Sequence, residues 1–138
     1  MTLRISFSVP GEPRGKGRPR FAKGRAYTDA ATASYENLIA INAKAAMAGR
    51  EPLATPVDVW VRINMQPPSS ASKSRIALML SGDLRPIKRP DIENVAKAVL
   101  DAMNQIVFRD DAQVCGLRVA KFYDSQPGLT IDVEEVLP

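Results

Sequence analysis

"VDVWVRINM", Val57 to Met65, alternates apolar and polar residues without a break. Val57, Val59, Val61, Ile63 and Met65 fall on one side, and Asp58, Trp60, Arg62 and Asn64 on the other. An extended chain sends successive side chains to opposite faces, so the stretch reads as a strand with one buried face. Pro67-Pro68 ends it. A second stretch, "RPDIENVAKAVLDAMN" from Arg89 to Asn104, follows the helical period instead. Ile92, Val95, Ala96, Val99, Leu100, Met103 and Ile106 recur at three- and four-residue steps, while Glu93, Lys97, Asp101 and Asn104 line the opposite side.

The remaining elements fall around these two. Leu3, Ile5, Phe7 and Val9 alternate with polar residues as a first strand, ended by Pro10-Gly11. "GEPRGKGRPRFAKGRAY" is too rich in glycine, proline and charge for a regular buried element, and reads as an exposed loop or loose hairpin ending near Tyr27. A helix capped by Thr28 or Asp29 runs to about Met47, with Gly49 as its stop and Tyr35, Leu38, Ile39, Asn42 and Ala46 as its inner stripe. Serines 69, 70, 72 and 74 precede a short helix at "RIALMLSG", and "DLRPIKRP" is extended. Residues 113 to 123, with Val114, Leu117, Val119 and Phe122, form a strand. Leu129, Ile131 and Val133 mark another, and Pro127-Gly128 between them points to a hairpin. The order β-α-β-α-α-β-β predicts one α+β domain over residues 1–138, a mixed sheet packed against helices.

Composition removes much chemistry. The chain of 138 residues contains no histidine, so no Ser-His-Asp triad, Cys-His pair or histidine base is available. Its one cysteine, Cys115, excludes an internal disulfide. No run approaches a membrane span, and "MTLRISFSVPGEP" does not read as a signal peptide; a cytoplasmic protein is expected. Catalysis must lean on carboxylates, lysine, tyrosine or serine, and carboxylates suit magnesium and manganese.

The charges are segregated. Arg14, Lys16, Arg18, Arg20, Lys23 and Arg25 crowd one loop, whereas Asp91, Glu93, Asp101, Asp110 and Asp111 lie within 21 residues. Asp91 stands where a helix N-cap belongs and Glu93 lies in the first turn, so both are candidates for capping. Both are equally candidates for ligands, because an Asp-x-Glu pair at a helix start can aim two carboxylates into one cleft. "RDDAQV" adds two acids after the same helix, at the beginning of the next strand, and these can meet the first pair at one end of a sheet. Carboxylates so gathered repel unless a divalent cation sits among them. Such an ion activates water and steadies a leaving phosphodiester oxygen, and Lys97 can stabilise developing charge. Asp110 also fits a simple turn. One rival nuclease pattern, Pro-Asp followed by an acid-x-Lys triplet, fails: none of the seven lysines has an acid two positions before it.

"KRPDIENVAKAVLDAMNQIVFRDDAQV" resembles the signature region of the RusA family of Holliday junction resolvases, small bacterial and phage endodeoxyribonucleases. Pro90, Asp91, Asn94, Lys97, Asp101, Ala102, Asn104, Asp110, Asp111 and Gln113 carry the likeness. "GKGRPRF" and "AYT" upstream extend it to roughly residues 7 to 123. The resemblance implies a RusA-like fold and a homodimer that nicks four-way DNA junctions in pairs, with Mg2+ as cofactor and Mn2+ as a substitute, in recombination and repair. It places Asp91, Glu93 and Asp111 on metal-binding acids, with Asp110 able to stand in, and Lys97 on a catalytic lysine. Asn94, Asp101 and Lys121 fall on recurrent positions, Lys121 as a DNA contact. The family's second acid is usually Asp; here it is Glu93, one methylene longer, and magnesium is strict about geometry.

The basic loop is then the DNA holder. Arginine grips phosphate with a forked donor set, glycine lets the backbone approach closely, and Phe21 and Tyr27 can stack on bases. Arg14, Lys16, Arg18, Arg20, Lys23 and Arg25 are the expected contacts. The alternative is a catalytically weak or inactive branched-DNA-binding protein of the same fold.

Overall fold

A computed structural model describes residues 2–16, 20–22, 24–27 and 30–138, with the backbone alone for 20–22 and 25–27. Strand β1 (Arg4–Pro10) is followed by the short strands β2 (Arg20–Ala22) and β3 (Arg25–Tyr27), helix α1 (Ala30–Met47) and strand β4 (Val57–Met65). Helices α2 (Lys73–Ser81) and α3 (Ile92–Met103) come next, then strands β5 (Val114–Tyr123) and β6 (Gly128–Glu135). The main sheet has the order β1-β6-β4-β5, and β2 and β3 pair separately as the loose hairpin expected there. β6 is antiparallel to both neighbours, whereas β4 and β5 are parallel. This is the expected α+β fold with a mixed sheet.

The alternation in β4 is the alternation of burial. Val57, Val59, Val61 and Ile63 are buried, and Asp58, Trp60, Arg62 and Asn64 are not. Pairing extends each buried position into a row. Ile5, Val133, Val59 and Leu117 form one row; Phe7, Ile131, Val61 and Val119 the next; Val9, Leu129, Ile63 and Lys121 a third. Helices α1 and α3 supply the opposite half of the core through Tyr35, Ile39, Ala43, Met47, Val95, Val99 and Met103. Among the described residues no helix is long and apolar enough to cross a membrane.

Several expectations are corrected. β5 and β6 are not a hairpin, because β4 lies between them. The short link after β5 instead crosses the end of β4, where the Asp124 amide donates to Met65 O at 2.9 Å. The chain then closes on β1 at Gly128, where a Cβ would lie 2.6 Å from Val9 O. A four-residue link and a turn dipeptide fit both routes; the parallel pairing of β4 with β5 excludes the hairpin. Ile92, placed on the inner stripe of α3, is 46% exposed in the helix's first turn. Leu117 is 47% exposed, since an edge strand has a neighbour on one side only. On α1 the buried line is Thr32, Tyr35, Ile39, Ala43 and Met47. Asn42 is only half-buried and donates to Leu38 O. The helix does end as expected, with Ala48 and Gly49 at positive φ. Its proposed caps, Thr28 and Asp29, lie outside the described residues.

Ile131 is fully buried between Phe7 and Val61. Ile131→Ala should lower unfolding free energy by about 2–5 kcal/mol in denaturant titration. Leu117→Ala should change it by no more than about 0.5 kcal/mol.

Candidate active site at the two ends of helix α3

Asp91 occupies the N-cap position of α3 with extended backbone, φ −73° and ψ 144°, yet its side chain makes no capping hydrogen bond. Its main-chain carbonyl accepts from the Val95 amide at 3.1 Å, so the helix starts without the carboxylate. The exposed carboxylate is therefore uncommitted, at the positive end of the helix dipole. Glu93 points outward and pairs with Lys97 one turn on, at 3.3 Å. Their side chains are 78% and 59% exposed, so the pair contributes only tenths of a kcal/mol, about 0.3–0.5, and is readily broken.

Asp91 borders a cleft of about 660 Å³ lined by Glu12, Pro13, Arg14, Gly15, Lys16, Arg89, Pro90 and Asn94. The far wall is the segment after β1, laid against α3 as a strap. The Lys16 amide donates to Asn94 O at 3.0 Å. Gly15 makes the approach possible: a Cβ there would sit 2.7 Å from Asn94 Cβ. Lys16, expected on DNA, turns inward and pairs with both Asp101 on α3 and Glu36 on α1, the latter at 3.0 Å. Its pKa is raised, chiefly by the hydrogen bond to Asp101. Arg14 is exposed at the cleft. Beneath the strap, burial pushes the Tyr35 phenol up to about 12, against an opposing pull from Arg14.

Lys121 also points inward. Its ammonium donates to Lys88 O at 2.7 Å and Pro90 O at 3.2 Å, bracing the segment that presents Asp91. Of the remaining expected DNA contacts, Arg18 and Lys23 lie outside the described residues, as do the side chains of Arg20, Arg25, Phe21 and Tyr27.

The second acidic pair lies past the other end of α3. Asp110 caps the short 3-10 turn Asp111–Gln113, accepting from Ala112 N at 3.4 Å, while its own amide donates to Gln113 Oε1 at 2.9 Å. Gln113 in turn donates to Leu53 O and Thr55 O at 2.8 and 2.9 Å, tying the turn to the chain just before β4. The turn role weighed for Asp110 is thus realised. Asp111 is held above the usual carboxylate range, first by its hydrogen bond with Asp110, then by slight desolvation and the charges of Asp110 and Asp101. These acids stand at the negative end of the helix dipole, which favours cations.

The expectation that both acidic pairs meet at one end of the sheet is corrected. Asp91 is braced by Lys121 near the end of β5, whereas Asp110 and Asp111 are fixed beside the start of β4 and β5. The 12 residues of α3, about 18 Å of helix, lie between them in the chain. Among the described residues no three Asp or Glu side chains gather closely enough to hold a metal ion. Each end offers carboxylate oxygens: exposed carboxylates at one, mutually repelling carboxylates at the other. Carboxylate oxygens are the donor type a hard divalent cation takes. Glu36, Asn94 and Arg89 join the site without having been assigned DNA or metal roles in the sequence. Gly15 between two cations was the one signal of a close backbone approach.

The sheet is thus covered by α1 and α3, with acids towards both ends of α3 and a cationic strap across it. The model of the family described as "Endodeoxyribonuclease RusA" matches residues 10–134. A similar protein of Bacillus subtilis (strain 168), described as "Uncharacterized protein YqaN", is 35% identical over 139 residues, covering 96% of each chain. The chain belongs to the RusA endodeoxyribonuclease family, whose members are Holliday junction endonucleases.

Two outcomes test this geometry. Gly15→Ala forces the strap off Asn94 and should cost about 1–3 kcal/mol in unfolding, with faster amide exchange at Lys16. For Asp111 the folded protein binds its proton more tightly than the unfolded chain, so stability is lost as pH rises through the folded pKa. Asp111→Asn should gain stability relative to the parent as pH rises from below 3.8 towards neutrality. A pH-independent difference in denaturant midpoints would refute the repulsion.

Proposed function

We propose that the chain is a Mg2+-dependent junction resolvase that makes paired phosphodiester incisions in four-way DNA as a homodimer, in recombination and repair. Mn2+ serves as a substitute. The setting is the cytoplasm of a bacterium, with the protein host- or phage-encoded. The observation that carries the reading is Asp91: a carboxylate at a helix N-cap that does no capping and faces a cleft walled by Arg14 and Arg89.

Asp91 and Glu93 would hold the cation at one end of α3, and Asp111, with Asp110 beside it, would complete the set. Because α3 keeps these pairs apart within one chain, the completing acids come from a second copy, giving two equivalent sites for two nicks. The bound cation would supply charge neutralisation at the scissile phosphate and a more acidic water. Lys97 turns from Glu93 to the phosphoryl oxygens, which costs little because the ion pair is exposed. Arg14 and Arg89 bind the flanking phosphates, and the backbone amides at the start of α3 favour an anion there. Lys121 holds Lys88 and Pro90 in place, and its role is positioning. The loop cations Arg18, Arg20, Lys23 and Arg25 extend the phosphate contacts.

Asp91→Asn and Asp111→Asn should each bind a synthetic junction and lose cleavage by about 100-fold or more. Mixing the two inactive variants should restore cleavage in part, because the mixed dimer contains one intact composite site. Failure to restore activity would place each site within one chain. Chelation of divalent ions should abolish cleavage while binding persists. If the parent protein binds junctions but never cuts them with Mg2+ or Mn2+, Glu93 in place of Asp marks an inactive junction binder instead.

A further inference from the structure

The sheet face opposite α1 and α3 carries a chain of stacked cations and rings. The Arg85 guanidinium lies 4.0 Å from the Phe122 ring centroid and that of Arg62 lies 4.2 Å from the same ring. Arg62 is also 6.0 Å from the Trp60 ring, on which Arg118 sits at 4.3 Å. The order is Arg85, Phe122, Arg62, Trp60, Arg118. None of the three arginines forms an ion pair among the described residues.

The acids of this face stand away from Arg62 and its row. Asp132 is committed to Arg4 at 3.2 Å and to Ser6. Asp132 shares the row of Trp60 and Arg118, and Asp58 and Glu134 lie in the next row, with Gly116, so the acids gather at the Arg118 end of the chain. The rows of Arg62 and Asn64 hold Thr130, Ala120, Gly128 and Phe122, none of them charged. Arg62 and Arg85 sit on one ring and so lie no more than about 8 Å apart. Like charges at that spacing repel, and an anion across their edges relieves the repulsion. Stacking fixes each guanidinium plane while its edge keeps forked donors for a phosphate.

The face also connects to the cleft. Arg85 Nε donates to Lys121 O at 2.7 Å, and Lys121 Nζ holds Lys88 O and Pro90 O. The segment from Arg85 to Asp91 therefore leads from the stacked arginines to the uncommitted carboxylate, bearing the exposed cations Lys88 and Arg89.

We propose that Arg62, Arg85 and Arg118, stacked on Phe122 and Trp60, form a second phosphate-contact surface that holds the sugar-phosphate backbone of a DNA arm outside the cleft. The inference rests on the junction-endonuclease reading and adds a surface apart from the loop at 14–25.

Arg62→Met with Arg118→Met keeps side-chain volume and removes two charges, leaving Arg85 and its hydrogen bond intact. Fluorescence anisotropy of a labelled four-way junction is followed across a salt series, in the full chain carrying Asp91→Asn. The dissociation constant should rise roughly tenfold, and the log–log salt slope should fall by about 2, near one per lost contact. Arg62→Lys, which keeps charge, should retain the parent slope. If the double variant fails to fold by circular dichroism, Arg118→Met alone, at an exposed side chain, carries the test with a slope change of about 1. A folded variant with an unchanged slope overturns the inference and leaves the endonuclease reading standing. A parent protein that binds no junction strikes that reading itself. An altered solution mass with an unchanged slope assigns the face to a second copy and also overturns the inference.

Discussion

The parallel pairing of β4 with β5 is the constraint on which the site depends. Two parallel neighbours cannot be joined by a tight turn, so the chain between them must travel back along the sheet. Here that return is made by α2, the extended segment after it, and α3. The amphipathic stripe of α3 then packs against α1 and towards β5, with Val95, Val99 and Met103 fully buried. A helix laid along the strands has one terminus at each end of the sheet. Asp91 is carried to one, Asp110 and Asp111 to the other. The division of the acids between the two ends of α3 follows from a strand pairing, not from any property of the acids.

Internal cations hold this arrangement. Lys16 joins α1 and α3 through Glu36 and Asp101, and Gly15 beside it permits the contact. Lys121 occupies a covered row of the sheet where an aliphatic residue would otherwise sit, and its stem reaches out to two carbonyls before Asp91. Both lysines were expected on DNA. Both instead make contacts within the chain, while Arg14 and Arg89 at the cleft and the stacked arginines on the other face stay exposed or half-exposed. Arginine suits the outward role, since it holds a ring and a phosphate at once.

The strand at Val57–Met65 and the helix at Ile92–Met103 were legible in the sequence because period and burial coincide there. Also legible were the absence of histidine, the segregated charge and the acids flanking one helix. The uncommitted state of Asp91 was not legible, because an N-cap aspartate reads the same whether or not its side chain accepts an amide. Nor was the clip at Lys16, since nothing about Glu36 marks it as a partner until α1 and α3 are packed.

The sequence by itself determined which face each side chain takes and which residues could do chemistry, because periodicity and composition are local properties. The tertiary structure decided that β4 separates β5 from β6, that the acids stand towards opposite ends of α3, and which cations face inward. Those outcomes depend on pairings between segments distant in the chain. A two-residue period specifies a face but not a neighbour, and only the packed sheet selects the neighbour.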